Sequence, residues 1–296
     1  MGIHKGGISV SEVLIHEGRT AFTRLRVVDK KGWRYLVFDD DSGDERLKKT
    51  EAVYQSRIRL ADPVRSWDSY TLAFQIPFLV ACIARTFFVG LGGGTIMHQY
   101  LHCYGDMHLE VAEIDPEVIQ IARTYFALPK ALKVHRGDGR KLLDSSPGNY
   151  DLIALDAFWA RTMPAHLLTV EFFRLVKGKL NEGGVVALNV NAALEGPPGR
   201  WYHRIGATLK EVFPYLLAFP TLGQWPHRYQ MILMLAGSKP FPSKQGIMER
   251  ARQRQEHYAL PLRFLELTQD PQTYVSERVH PITDREAEKR PQLPIY

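Results

Sequence analysis

The sequence predicts an α/β fold in which a mostly parallel sheet carries helices on both of its faces. From Thr86 onward, short apolar runs alternate with amphipathic stretches, and turns rich in glycine or acidic residues separate them. This alternation is typical of parallel strands joined by crossover helices. The 296 residues, 45% of them hydrophobic, can form one large core together with a small additional domain.

The main domain is predicted to contain seven strands. The first is Phe87–Leu91, and glycines separate it from a helix near Ile96–Cys103. The other six are predicted at His108–Ile114, Leu132–His135, Asp151–Leu155, Val185–Val190, Leu216–Phe219 and Gln230–Leu235. Helices between them are predicted from Pro116, a residue that suits a first helical position, and at Arg140–Leu143, Ala165–Leu180 and Trp201–Val212. Gly183 and Gly184 are expected to end the third of these helices.

Two further segments flank the main domain. Residues 8–65 contain short alternating runs, and the turn Asp29–Gly32 joins two of them, which predicts a small antiparallel β module. Residues 67–84 are predicted to form a helix, and a second, polar helix is expected after Lys239. The proline-rich tail 281–296 is predicted to be extended. The resulting domains are 1–65 (β-hairpin domain), 66–240 (main domain) and 241–296 (helical extension and tail).

Composition and charge argue against several classes of protein. The net charge of +6 is scattered along the chain, so we interpret it as a solvated surface and expect no nucleic-acid partner. The most apolar stretch, Leu72–Ala84, is shorter than the ~20 residues that span a bilayer. No apolar leader follows Met1, and a cytoplasmic location is therefore predicted. Cys82 and Cys103 have no metal-type spacing and are predicted to be buried thiols.

A glycine-rich turn follows the first strand of the main domain. Gly90, Gly92, Gly93 and Gly94 allow a tight turn and a close approach of backbone N–H groups to a ligand. Alone this signal is weak, because similar turns also occur for packing reasons. Glu113 ends the next strand, where a carboxylate can bind the two ribose hydroxyls of a nucleotide. A nicotinamide-binding domain has the same pattern up to this point.

Two more acidic residues distinguish these cases. Asp138, followed by Gly139, ends the third strand and can accept a hydrogen bond from an adenine amino group, and Asp156 ends the fourth strand. Each acid alone is compatible with a helix cap or a solvated loop. Because ligands of open α/β sheets bind at the carboxyl ends of the strands, the series predicts one electronegative crevice. Such a crevice suits an S-adenosyl sulfonium nucleoside, and the fold is therefore predicted to be methyltransferase-like.

From Ala21 to Lys239 the chain resembles the spermidine synthase (polyamine aminopropyltransferase) family. The matching segments are Gly92–Gly94, Glu113–Asp115, Gly137–Gly139 and Tyr150–Asp156, with a weaker match at Phe219–Trp225 and Gly237–Lys239. The resemblance implies transfer of an aminopropyl group from decarboxylated S-adenosylmethionine to an amine, with methylthioadenosine as the leaving group. It also implies that the carboxylate after the fourth strand, here Asp156, binds and deprotonates the amine.

The acceptor half of the site departs from the family pattern. Thr95 and Trp159 occupy two positions where the family has aspartates, and Leu222 replaces a pocket tyrosine. Tyr70, followed by threonine, stands where the family has a Tyr-Gln or Tyr-His pair, and Trp225 lies in a segment that closes over the acceptor in the family. Each lost charged contact is worth ~1.5–3 kcal/mol, so we expect a small-molecule acceptor other than a simple polyamine.

Other functions remain open at this stage. A methyltransferase that uses ordinary S-adenosylmethionine has the same fold, and the uncharged Thr95 removes a repulsion towards its carboxylate. A catalytically silent nucleoside-binding protein is a further alternative, and a dehydrogenase is a distant fourth. His166 is interpreted as a solvent-facing residue rather than an acid or base. We expect no metal, and a homodimer as the commonest symmetric assembly.

Overall fold

The structure is a computed structural model that describes residues 12–38, 53–158, 162–274, 279–290 and 292–294. Its strands are β1 Val13–Arg19, β2 Arg24–Lys30, β3 Trp33–Phe38, β4 Val53–Arg59, β5 Arg85–Val89, β6 His108–Glu113, β7 Lys133–Arg136, β8 Tyr150–Leu155, β9 Thr162–Pro164, β10 Leu180–Ala192, β11 Tyr215–Pro220, β12 Gln230–Gly237, β13 Gln272–Thr273 and β14 Gln292–Pro294. Its α-helices are α1 Ser69–Ala73, α2 Pro77–Val80, α3 Thr95–Cys103, α4 Pro116–Tyr125, α5 Gly139–Ser145, α6 Val170–Lys179, α7 Arg200–Lys210, α8 Lys244–His257, α9 Arg263–Thr268 and α10 Asp284–Lys289.

The main sheet has the strand order β13-β11-β12-β10-β8-β5-β6-β7. Five neighbouring strands, from β10 to β7, are parallel. Strand β12 runs antiparallel to both of its neighbours, β10 and β11. Apart from the two-residue β13 at its edge, the sheet has the seven strands predicted, and the fold class is confirmed. Two buried clusters, one around Phe172 and Phe173 and the other around Phe74 and Tyr100, cover its faces.

The N-terminal module is an antiparallel sheet with the order β1-β2-β3-β4, as predicted. One face packs on α4, where Leu36 and Ile58 join Val118 and Ile121 in a buried cluster. Arg34 strengthens this contact, because its Nη1 donates a hydrogen bond of 2.9 Å to the carbonyl oxygen of Tyr125. The module therefore lies against the helix that follows Glu113.

Two predicted helices are interrupted in the structure. The segment 67–84 forms two short helices, α1 and α2, and Pro77 begins the second, where its missing N–H costs no hydrogen bond. The helix predicted from Ala165 begins only at Val170. Residues Ala165–Leu167 form a single 3-10 turn, and the Thr169 side chain caps α6 by accepting from the backbone N–H of Phe172.

Two smaller predictions also need correction. Gly183 lies within β10 rather than at a helix end, and the register of β10 against β8 is irregular between Leu180 and Val185. Cys82 is exposed, because it follows the end of α2 at the surface, and only Cys103 is buried.

The C-terminal tail is not simply extended. It contains α10, whose Asp284 accepts two hydrogen bonds of 2.7 Å from Arg140, and β14, which pairs with β9. These contacts join the tail to α5, which precedes β8, and to β9, which follows it. Among the described residues, no helix is long and apolar enough to cross a membrane.

Candidate functional site

The loops after the parallel strands meet at one edge of the main sheet because backbone hydrogen bonds continue past the strand ends. The backbone N–H of Gly90 donates to Ala112 (2.9 Å), and that of Asp156 donates to Val89 (2.8 Å). The N–H of Gly137 likewise donates to Glu113 (2.8 Å). The glycine loop and the three predicted acids are thereby brought to the same edge.

A cavity of about 610 Å³ lies at this edge. Most of the predicted site residues line it, namely Gly90, Gly92, Glu113, Asp138, Gly139, Asp156, Tyr70 and Thr95. Gly93 and Gly94, in the same loop, are not among the lining residues. They pack against Phe126 and Leu128, which leave no room for a β-carbon. The structure therefore groups the donor-side residues that the sequence indicated.

Gly90 determines how closely the loop approaches Asp156. Its φ is +103°, and a β-carbon added there would lie 2.2 Å from the carbonyl oxygen of Asp156. Gly94 also has a left-handed backbone (φ 76°) and forms the N-cap of α3. Glycine is needed at these two positions for backbone conformation and, at Gly90, for space.

Glu113 is buried at the end of β6. Its Oε2 accepts a hydrogen bond from the backbone N–H of Leu91 (3.0 Å), and its Oε1 accepts one from that of Asp115 (2.9 Å). Burial raises the pKa of the Glu113 carboxyl to about 7, although these backbone donors oppose the shift. The carboxylate is thus oriented by the glycine loop and titrates close to neutral pH.

Asp138 has a partner that sequence reasoning did not assign to it. Its Oδ1 caps α5 by accepting from the backbone N–H groups of Arg140 and Lys141. Its Oδ2 lies 2.8 Å from Nε2 of His166, and this hydrogen bond lowers the pKa of Asp138 to about 2. His166 itself lines the cavity, so the interpretation of His166 as a purely solvent-facing residue is wrong.

Asp156 faces the cavity between two donors. Asn189 donates from Nδ2 to its Oδ1 (2.8 Å), and the Tyr70 hydroxyl donates to its Oδ2. Burial raises the pKa of the Asp156 carboxyl, while the two hydrogen bonds act in the opposite direction. The pKa of Tyr70 is raised well above its ordinary value by burial and by the nearby Asp156 charge, so its hydroxyl stays a donor.

The predicted acceptor residues are only partly brought together. Thr95 is buried and donates a hydrogen bond of 2.8 Å from Oγ1 to the carbonyl oxygen of Arg57. Leu222 and Trp225 lie outside the described lining of the cavity, and Trp225 is 52% exposed on the loop between β11 and β12. Trp159 lies outside the described residues.

Two walls of the cavity were missed by sequence reasoning. Strand β4 contributes Ser56 and Arg57, and Ser56 Oγ lies 3.2 Å from Oγ1 of Thr95. Strand β10 contributes Asn189 and Asn191. A signal existed for the second wall, because Asn189 and Asn191 interrupt an otherwise apolar run at residues 185–192. In the described part of the chain, no group of three or more His, Cys, Asp or Glu side chains is arranged to hold a metal ion.

Known proteins resemble this chain in sequence and in fold. The model of the spermine/spermidine synthase domain matches residues 88–232, which run from β5 into β12. This part of the chain matches the spermine/spermidine synthase family. Proteins of this family that resemble it are named as transferases, and the predicted enzyme class is confirmed at that level.

Individual relatives differ in how much of their length is matched. The polyamine aminopropyltransferase of Vibrio vulnificus is 29% identical over 243 residues, which cover 80% of this chain and 76% of the relative. A probable polyamine aminopropyl transferase of Bifidobacterium longum is 33% identical over 192 residues, covering 64% of this chain but 43% of the relative. A probable spermidine synthase from Corynebacterium glutamicum has a TM-score of 0.65 at 19% identity, covering 90% of this chain and 99% of its own, and shows the shared fold.

Proposed function

We propose that this chain transfers an aminopropyl group, or a related alkyl group, from a decarboxylated S-adenosylmethionine-type donor to a small-molecule nucleophile. The observation that carries the proposal is the contact between the glycine loop and Asp156. Gly90 touches the backbone of Asp156, whose carboxylate is held by Tyr70 and Asn189. In this proposal, a donor bound at the loop lies beside Asp156, which acts as the base.

The donor half of the cavity offers complementary groups for each part of a nucleoside. In this proposal Glu113 binds the ribose hydroxyls, and Asp138 accepts from the adenine amino group. Gly90, Gly92 and Gly139 contact the nucleoside through backbone atoms, because all three line the cavity. Gly139 is also packed tightly, since a β-carbon there would lie 2.4 Å from Val89. The carboxylates also attract the positive sulfonium.

The chemistry needs alignment and one proton acceptor. The lone pair of an amine attacks the propyl carbon next to the sulfonium, a C–N bond forms, and the C–S bond breaks. Its electrons return to sulfur, and methylthioadenosine leaves as a neutral thioether. The proton released by the nitrogen passes to Asp156, whose raised pKa makes it a stronger base than an exposed aspartate.

The acceptor remains the open half of the proposal. Family relatives are named for polyamines, but Thr95 offers a hydroxyl that is already bonded to Arg57 rather than a carboxylate. This supports a small acceptor other than a simple polyamine. The same uncharged Thr95 favours one second candidate, a methyltransferase that uses the full S-adenosylmethionine. For assembly and location we keep a homodimer and the cytoplasm as expectations.

Calorimetric titration tests the proposal directly. The protein is titrated with S-adenosylmethionine, its decarboxylated form, methylthioadenosine and NAD. We expect the decarboxylated donor and methylthioadenosine to bind, and NAD to show no heat of binding. Preference for the full donor would support methyl transfer instead, and absence of binding to every adenosyl sulfonium and to methylthioadenosine would refute the nucleoside site.

Nucleoside affinity is expected to depend on pH through Glu113. Its folded-state pKa of about 7 lies above the ordinary value, so the carboxyl is protonated below pH 7 and ionised above it. Because the ionised form accepts ribose hydroxyls best, the affinity for methylthioadenosine should rise up to about tenfold per pH unit below 7 and then level off. Glu113→Gln should bind weakly and without this slope. If the affinity of the variant for methylthioadenosine still rises with pH as in the wild type, a group other than Glu113 causes the pH dependence.

A further inference from the structure

Arg57 contributes a guanidinium to the cavity that Asp156 also lines, but from the N-terminal sheet rather than from the main domain. It lines the cavity from β4, together with Tyr70 and Asp156. Its side chain is 38% exposed, and its Nε donates to Asp68 Oδ2 at 3.0 Å. The guanidinium carbon lies 4.6 Å from the centroid of the Trp33 ring, which supports it by a cation–π contact. The side chain is therefore held in place before any ligand binds.

The terminal nitrogens of this guanidinium are unused. Arg57 donates from Nε to Asp68, and its carbonyl oxygen accepts from Thr95. Within the described part of the chain, neither Nη atom of Arg57 has a hydrogen-bond partner. A neighbouring groove shares Arg57, Asp68 and Tyr70 with this cavity and is also lined by Arg263. A ligand that extends outward from Asp156 therefore meets N–H donors with no acceptor.

The acid on this side is already occupied. Asp68 Oδ1 accepts from the backbone N–H of Thr71 (2.9 Å), and its Oδ2 accepts from Arg57. A second ammonium group on the substrate would have to displace the guanidinium to reach Asp68. A carboxylate, in contrast, would complete the hydrogen bonding of Arg57 in the paired geometry that guanidinium groups form with carboxylates.

We infer that Arg57 is a specificity-determining residue that binds a carboxylate of the substrate. This inference rests on the nucleoside site of the proposed function and adds a chemical class of ligand. A carboxylate on the acceptor fits aminopropyl transfer, and a carboxylate on the donor fits the second candidate, methyl transfer. Two sources carry that chemistry. The carboxylate belongs either to an acceptor of the amino-acid type, whose terminal amine reaches Asp156, or to the methionine end of an undecarboxylated donor.

Two pairs of probes that differ by one carboxylate separate these sources. For the donor, the pair is S-adenosylmethionine and its decarboxylated form. For the acceptor, the pair is ornithine and 1,4-diaminobutane, titrated calorimetrically in the presence of saturating methylthioadenosine. In one of the two pairs, the wild-type protein should prefer the carboxylate-bearing probe. In Arg57→Gln that preference should fall about 10- to 100-fold, the worth of a charge-assisted hydrogen-bonded pair.

Arg59→Gln is the matched control. Arg59 lies two residues further along the same strand and over the same Trp33 ring (5.0 Å), but it lines neither cavity. Its variant should retain the wild-type preference. Arg57→Lys keeps the charge but not the paired geometry and should retain a reduced preference, which guards against misfolding of the Gln variant.

The outcomes distinguish this inference from the proposed function. If methylthioadenosine binds normally but neither preference differs between wild type and Arg57→Gln, the inference is overturned and the proposed function stands. If 1,4-diaminobutane and the decarboxylated donor are preferred by the wild-type protein, the inference is also overturned. If methylthioadenosine does not bind at all, the proposed function fails, and the inference fails with it.

Discussion

Asp156→Asn is expected to abolish turnover while leaving the affinity for methylthioadenosine nearly unchanged. The substitution preserves the size of the side chain but removes its ability to take a proton. It also replaces one of the two acceptor oxygens by an amide N–H donor, which then faces the donor group of Tyr70 or Asn189. Loss of a general base lowers rates by about 10²–10⁴-fold. The measurement is release of methylthioadenosine from the decarboxylated donor, compared with calorimetric binding of methylthioadenosine.

A control for this variant lies on the same strand. Asp151 is near the other end of β8, outside the cavity lining, where its Oδ2 accepts from the backbone N–H groups of Ala84 and Arg85 (both 2.9 Å). Asp151→Asn should reduce the melting temperature without changing the turnover rate. If Asp156→Asn keeps turnover within about tenfold of wild type, the range of general-base effects excludes Asp156 as the base.

The donor half of the site could be predicted from sequence because its information is local. Glu113, Asp138 and Asp156 each follow a predicted strand, and the carboxyl ends of parallel strands must meet at one edge of the sheet. The backbone hydrogen bonds past the strand ends then bring these residues together in space. Sequence order and strand direction were sufficient to place them.

The acceptor half could not be predicted in this way because its walls come from distant parts of the chain. Thr95 bonds to Arg57, 38 residues earlier, and this contact depends on how the N-terminal sheet packs on α4. Arg140 bonds to Asp284, which is 144 residues away. Because the sequence gives no sign of this contact, the tail was predicted to be extended. No periodicity or local spacing encodes such contacts, and the loop containing Trp225 was assigned to the pocket by resemblance alone.

His166 illustrates an intermediate case. Its position near a helix start suggested exposure, and its side chain is indeed 40% exposed. It also lies in the 3-10 turn Ala165–Leu167, lines the cavity and bonds through Nε2 to Asp138. Local geometry of this kind depends on packing after β9, which the sequence pattern does not determine.

Gly90→Ala is expected to weaken methylthioadenosine binding by about 100-fold or more. The added methyl would lie 2.2 Å from the carbonyl oxygen of Asp156, and a φ of +103° is rarely adopted by alanine. The loop must shift by about an ångström to relieve the contact, and a misplacement of that size costs about 10²-fold at a binding centre. The backbone strain should also lower the free energy of unfolding by about 1–3 kcal/mol. Calorimetry and thermal unfolding measure the two effects.

Gly178→Ala provides the comparison that isolates the glycine loop. Gly178 lies within α6, and a β-carbon there would meet no atom within 4 Å. Alanine at this position should raise stability by roughly 0.5–1 kcal/mol and leave binding unchanged. If Gly90→Ala binds methylthioadenosine as tightly as Gly178→Ala, the nucleoside does not depend on the close contact between the loop and Asp156. The donor would then have to bind elsewhere in the cavity, and Asp156 would lose its place beside the sulfonium.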